Sequence, residues 1–365
     1  MKEIRNIIAT YDAMDHARNK AALATVVSVQ ASSYRRIGAR MLVQSSGEWV
    51  GGISGGCLEG DALKRAQAAI FRDQPSIITY DTMEDDEHQI GVGLGCRGRI
   101  EVLFTPIDPA DEHNPIEVLR QCVPRREASI LLQLVGDEAP ASLNGRLYTP
   151  ATLTDMARDT GLNEEELRTA VGVTLEAGTS QLPTLRTSAG GNRQVLCEWL
   201  RPELQLIAVG DNYDVDAFAG IAREMGWILR LIGTPRKLSK VLFDLATSVN
   251  HYDEADQLAL DDFTAVVLMS HDYERDKQMV RHFLPLQPVY LGMLGPRKRL
   301  ERMHEELAAE GLNLAGYPRL FSPIGLDIGA ESPEEIALSI AAEIVAAYRQ
   351  RSAGFLKDRT GSIHA

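Results

Sequence analysis

Two short stretches combine cysteine with glycine in a way that could present a thiol to a ligand. The first reads Gly51-Gly52-Ile53-Ser54-Gly55-Gly56-Cys57-Leu58-Glu59-Gly60-Asp61, with a glycine pair on either side of Ile53-Ser54. Glycine lets the backbone bend into left-handed conformations and approach a ligand closely. A cysteine at a helix start also meets unpaired N–H groups that favour its thiolate, the form that binds soft metals or attacks as a nucleophile. Glu59 and Asp61 oppose that activation by favouring the neutral thiol. The competing reading is a small cysteine packed beneath a tight turn. The second stretch, Gly93-Leu94-Gly95-Cys96-Arg97-Gly98-Arg99, sets Cys96 among glycines with two arginines able to meet an anion. Cys122 and Cys197 lie in ordinary contexts and read as structural. There is no CxxC pair and no histidine at conventional spacing, so a structural zinc site is not indicated.

The C-terminal half offers three further loops. The apolar run Leu204–Val209 ends in Gly210-Asp211-Asn212-Tyr213-Asp214, and Gly210 sits where a dinucleotide fold places its first phosphate-binding glycine. Asn212 and Val215 occupy the later glycine positions of that motif, and Gly233 stands near where a ribose-binding carboxylate is expected. The pattern keeps the fold and loses the usual ligand. Ser270-His271-Asp272 and Met293–Arg299 also follow expected strands. In the latter, Arg297, Lys298 and Arg299 put positive charge against the positive end of a helix dipole. A bound anion would answer that charge, as would ion pairs with Glu301, Glu305 or Glu306. His271 could be an acid–base group, a donor to a ligand, or a loop histidine without a role.

The elements that must hold these loops follow from hydrophobic period and turn signals. Ala21–Val29 predicts a buried strand, Met41–Gln44 and Glu48–Ile53 a hairpin, and Leu58–Arg72 a helix with apolar residues at helical spacing, so Cys57 falls where a strand and turn hand over to a helix. Ser76–Tyr80 and Arg99–Phe104 form another strand pair. From residue 204 onward, short apolar runs alternate with amphipathic helices, the signature of a parallel sheet joined by right-handed crossovers. The last helix opens on Ser332-Pro333-Glu334-Glu335, a serine cap with proline at the first position and glutamate at the third. The expected fold is α/β: a C-terminal Rossmann-like parallel sheet over 201–365, preceded by an N-terminal α+β domain over 1–200. Residues 108–200 are the least defined part, with a strand at Ala128–Val135 and a helix at Asn163–Glu176.

Composition narrows the partners. A chain of 365 residues is long for one core and implies two domains. Its net charge of −13 argues against nucleic acid and anionic membranes as partners, so any phosphate must be held by local devices. The N-terminal stretch breaks its apolar positions with charge in every turn, and the expected location is the cytoplasm.

Taken together, seven segments in order resemble the xanthine dehydrogenase accessory factor family of the XdhC/CoxI type. They are ALATVVSV, SSYRRIGARM, GGISGGCLEGD, GVGLGCRGRIEVL, VVLMSHDYERD, YLGMLGPRKRLERM and SPIGLDIGAESPEEIALSIAAEIVA. The resemblance implies a non-catalytic chaperone that binds molybdenum cofactor, as molybdopterin or its dinucleotide. Such a protein supports sulfuration by a cysteine desulfurase and delivers the cofactor to an apo molybdenum hydroxylase such as xanthine dehydrogenase. It implies Cys57 as the metal-facing residue, and the loops read above add Gly55, Gly56, Glu59, Cys96, Arg97, Gly210, Asp214, His271 and Arg297 as expected cofactor contacts. The family commonly reads GAGND at the first Rossmann turn, where this chain has Gly210-Asp211-Asn212-Tyr213-Asp214. A homodimer is expected on general grounds. Two other readings stay open: an NAD(P)-dependent oxidoreductase using the Rossmann-like half with His271 as acid–base residue, and a thiol enzyme using Cys57.

Overall fold

The computed structural model of the chain describes residues 1–31, 33–81, 98–136, 143 and 145–360. It divides into two units, Met1–Pro202 and Glu203–Ala365. The first begins with α1 (Lys2–Asp12), which buries Ile4, Ile7, Ile8 and Tyr11 along one helical stripe. Then follow β1 (Ala21–Ala31), β2 (Arg40–Gln44), β3 (Trp49–Gly51), α2 (Glu59–Arg72), β4 (Ser76–Asp81) and β5 (Gly98–Pro106). The five strands form an antiparallel sheet in the order β3-β2-β1-β5-β4. On one face, α2 lays Ala62, Ala66, Ala69 and Ile70 against Ala22, Ala24, Val26, Met41, Val102 and Phe104. Alanines at that spacing let the helix sit close to the strands, which fixes where its first turn ends. On the other face, α1 and α3 (Pro115–Cys122) pack with Leu23 and Leu42. Asn114 caps α3 by accepting from the amides of Ile116 and Glu117, with proline at the first position.

The stretch least defined by sequence completes this unit. Strand β6 (Ser129–Val135), helices α4 (Leu153–Thr160) and α5 (Glu164–Ala177), and strands β7 (Thr184–Arg186) and β8 (Asn192–Leu200) make an antiparallel sheet in the order β6-β8-β7 with both helices on it. A buried ion pair ties it to the first sheet. Arg40 on β2 donates through Nη1 and Nη2 to the two oxygens of Glu198 on β8, at 2.9 and 2.5 Å, and Nη1 also reaches the Gly38 carbonyl at 2.8 Å. The pair leaves no room for a side chain at Gly38, where an added Cβ would lie 2.3 Å from Glu198 Oε1 and φ is +86°.

The second unit is a parallel sheet of six short strands: β9 (Gln205–Val209), β10 (Ile228–Ile232), β11 (Ser248–Asn250), β12 (Thr264–Leu268), β13 (Tyr290–Met293) and β14 (Leu320–Phe321). Their order, β11-β10-β9-β12-β13-β14, is that of the Rossmann fold, with a reversal between β9 and β12. Along β9, Leu206 and Ala208 face one core while Ile207 and Val209 face the other. Both faces are covered, so the strands are apolar throughout rather than alternating. Helices α6 (Asp214–Met225), α7 (Lys240–Leu245) and α10 (Pro333–Tyr348) cover the first face, and α8 (Tyr273–Phe283) and α9 (Arg297–Ala309) the second. The reciprocal cap at Ser332 and Glu335 is formed as the sequence predicts. Strands β11 and β14, of three and two residues, form the two edges of the sheet. No helix among the described residues is long and apolar enough to cross a membrane.

Candidate functional site

The segment between β3 and α2 is built around one carboxylate. Glu59 Oε1 accepts from the amides of Ile53, Ser54 and Gly55 at 3.0, 2.9 and 3.1 Å. Its Oε2 accepts from the amides of Gly56 and Leu58 at 2.8 and 3.2 Å and from the Ser54 hydroxyl. The Leu58 amide also donates to Ser54 Oγ at 2.8 Å. Convergent amides of this kind make an anion-binding nest, and here the chain supplies its own anion. Burial works against the charge of Glu59, but the Ser54 hydroxyl and the surrounding amides outweigh it and hold the carboxyl down to about 2. The loop can close only because Gly55 and Gly56 take φ of +92° and +119°. Glu59, grouped by sequence with the ligand contacts, thus has its carboxylate engaged within the loop, and the amides offered there to a phosphate are the ones it occupies.

The consequence is at Cys57. With the loop tied inward by Glu59, Gly55, Gly56 and Cys57 are left exposed. The other two described cysteines behave oppositely: Cys122 and Cys197 are buried, and burial pushes both thiols up, Cys197 to about 11. Beside the loop stands Tyr34, which the sequence did not single out. It is 72% exposed, and a Cβ added at Gly55 would come within 2.6 Å of its ring. Tyr34 belongs to the SSYRRIG turn after β1, where Arg35 pairs with Glu3 on α1 through two contacts of 2.7 and 2.5 Å. Cys96 and Arg97 lie outside the described residues.

In the second unit Gly210, Asp214 and His271 gather at the reversal of strand order. Asp214 opens α6 after β9, and His271 follows β12. His271 donates through Nε2 to Asp214 Oδ2 at 2.9 Å, bridging the two loops, and takes a left-handed φ of +59° to do so. Gly210 is required by contact rather than by ligand approach, since a Cβ there would lie 2.7 Å from the Met269 carbonyl. Asn212 fills the place of the missing glycine and donates to the same carbonyl at 2.6 Å. Gly233, at the ribose position, packs directly beneath Gly210 and Asp211. Three carboxylates stand at the start of α6: Asp214 on His271, Asp216 on the Ser239 hydroxyl, and half-buried Asp211 in the turn before it. Burial disfavours the charge on Asp211, but Thr234, Lys237 and Arg275 outweigh it and keep the carboxyl below its usual range.

Arg297 begins α9, is exposed, and makes no ion pair with any described residue. Its neighbour Arg299 is committed elsewhere than sequence suggested. It donates to Asp276 on α8 at 2.5 Å, and Asp276 in turn accepts from Ser270 at 2.6 Å. Eight of the ten nominated residues are described, in two groups: Gly55, Gly56, Cys57 and Glu59 in the first unit, and Gly210, Asp214, His271 and Arg297 in the second. Among the described residues, no cluster of three or more His, Cys, Asp or Glu side chains is arranged to hold a metal ion.

Comparison with known proteins agrees with both halves. A family model described as the XdhC and CoxI family matches residues 14–81, and one described as the XdhC Rossmann domain matches residues 206–344. The chain is 28% identical to a Bacillus subtilis protein described as a probable xanthine dehydrogenase component, over 93% of this chain and 97% of that one. It is 23% identical to the molybdenum cofactor insertion chaperone PaoD of Escherichia coli, over 89% and 82% of the two chains. A Bacillus halodurans crystal structure described as a xanthine dehydrogenase shares the fold, with a TM-score of 0.73, 24% identity and 98% coverage of both chains.

Proposed function

The chain belongs to the XdhC and CoxI family, and from that premise we propose that it is an accessory protein that holds molybdenum cofactor as cargo at the Cys57 loop. On this reading it keeps the cofactor while a cysteine desulfurase supplies sulfur, then hands it to a molybdenum hydroxylase. The observation that carries the reading is the display of Cys57: a thiol at the exposed apex of a glycine loop whose interior is satisfied by Glu59. A thiolate is a soft donor suited to molybdenum or its sulfur. Relatives described as an insertion chaperone and as a xanthine dehydrogenase component support the same assignment.

The test is cofactor retention. Wild type and Cys57→Ala, purified from molybdenum-replete cells, are assayed for released pterin and molybdenum. Wild type is expected to carry both and Cys57→Ala to carry about a tenth as much or less, with unchanged thermal unfolding because the side chain is exposed. Equal content in the two proteins would overturn the proposal.

A further inference from the structure

Tyr34 shares with Phe71 and Trp49 an exposed aromatic ring on the first unit, and its ring lies against Gly55. An aromatic ring carries a large apolar area that folding normally covers. This one is 72% exposed, yet it is not free of the fold, because it rests on the backbone of Gly55 so closely that even a methyl group there would collide with it. The glycine at 55 thus serves two purposes: it takes the left-handed conformation the loop needs, and it seats the ring. The result is an aromatic surface seated against the loop and largely open to solvent.

Its position gives the surface a use. Gly55 and Cys57 are two residues apart, which limits their Cα atoms to about 7 Å. A ring seated on Gly55 and a thiol on Cys57 can therefore address the two ends of one small ligand. We infer that Tyr34 is a stacking platform for the planar heterocycle of the ligand that Cys57 holds. This deepens the proposed function and rests on it: the thiol meets the metal or its sulfur, and the ring meets the flat nitrogen heterocycle. In the cofactor that heterocycle is the pterin, or in a dinucleotide form also a nucleobase. Stacking on an aromatic side chain tolerates either, because both present a π-face. Exposure of the tyrosine is then explained, since the cargo supplies the cover that the fold does not.

Calorimetric titration of the full chain with metal-free pterin-6-carboxylate, and separately with GMP and CMP, tests the platform. Tyr34→Phe keeps the ring and is expected to bind as wild type does. Tyr34→Ala is expected to weaken binding about 10- to 100-fold. Saturation by the pterin assigns the platform to that ring, and saturation by a mononucleotide instead assigns it to the nucleobase. Equal affinity of Tyr34→Ala and wild type, or no saturable binding of any of the three probes by wild type, overturns the inference. Failure of the proposed function shows separately, as equal cofactor retention by wild type and Cys57→Ala.

Discussion

At the scale of single residues, the carboxylate of Glu59 decides whether the thiol is displayed. Five backbone amides and one hydroxyl converge on it, so the loop is folded around a negative charge that must be present. Its carboxyl sits at about 2 in the folded chain, below its ordinary value of 4.5. A depressed folded value contributes stability that is complete above the unfolded value and is lost as pH falls toward the folded one. Replacing Glu59 by glutamine keeps the shape and removes the charge. Because the loop is partly open to solvent, the loss is about 1 kcal/mol at neutral pH. Urea unfolding of wild type and Glu59→Gln is expected to show a constant difference above pH 4.5 that shrinks between pH 4.5 and 3. A difference independent of pH would mean that the charge of Glu59 does not hold the loop.

At the scale of elements, the first unit depends on the joint between β2 and β8. Arg40 and Glu198 have side chains only 1% and 6% exposed, and each is the other's counter-charge. Breaking a buried pair by removing one partner leaves a stranded charge and costs about 3–5 kcal/mol, whereas replacing both with apolar groups of similar size can be nearly neutral. Arg40→Met is therefore expected to lower the denaturant midpoint sharply, followed by the fluorescence of Trp199, and adding Glu198→Leu should recover most of it. A double variant no better than the single would place the cost in Arg40's contact with the Gly38 carbonyl instead. This joint also shows where sequence reading stops. The strand–helix alternation after residue 204 is legible because each element carries its own period, and the cysteine loop is legible because glycine pairs are local. Strands β11 and β14, of three and two residues, are too short to show a period. The Arg40–Glu198 pair spans 158 positions, and Tyr34 meets Gly55 only after the turn and the loop have folded together. The role of Glu59 had a local trace, a carboxylate three residues after a glycine pair that precedes a helix, but such a residue reads first as an ordinary first-turn acid.

At the scale of the whole molecule, the distribution of charge separates what the two units can bind. The chain carries a net charge of −13, so a phosphorylated ligand is repelled in general and has to be drawn in by something local. The Rossmann order of the second unit places its natural ligand crevice between β9 and β12, and there the structure sets Asp211, Asp214 and Asp216 around the start of α6. A helix N-terminus attracts an anion through unpaired amides and its dipole, and carboxylates at the same place cancel that attraction. Asn212 closes the turn over the Met269 carbonyl, and Gly233 removes the acid that would hold a ribose. Each change weakens a dinucleotide site, at its phosphate, at its backbone approach or at its sugar contact. Titration of the full chain with NAD or NADP is expected to give no saturable signal up to about 1 mM, a binding free energy weaker than about −4 kcal/mol. Micromolar affinity would return the second unit to the dehydrogenases, with the His271–Asp214 pair as its acid–base group. Otherwise that pair is a bridge between two loops across the Rossmann crevice.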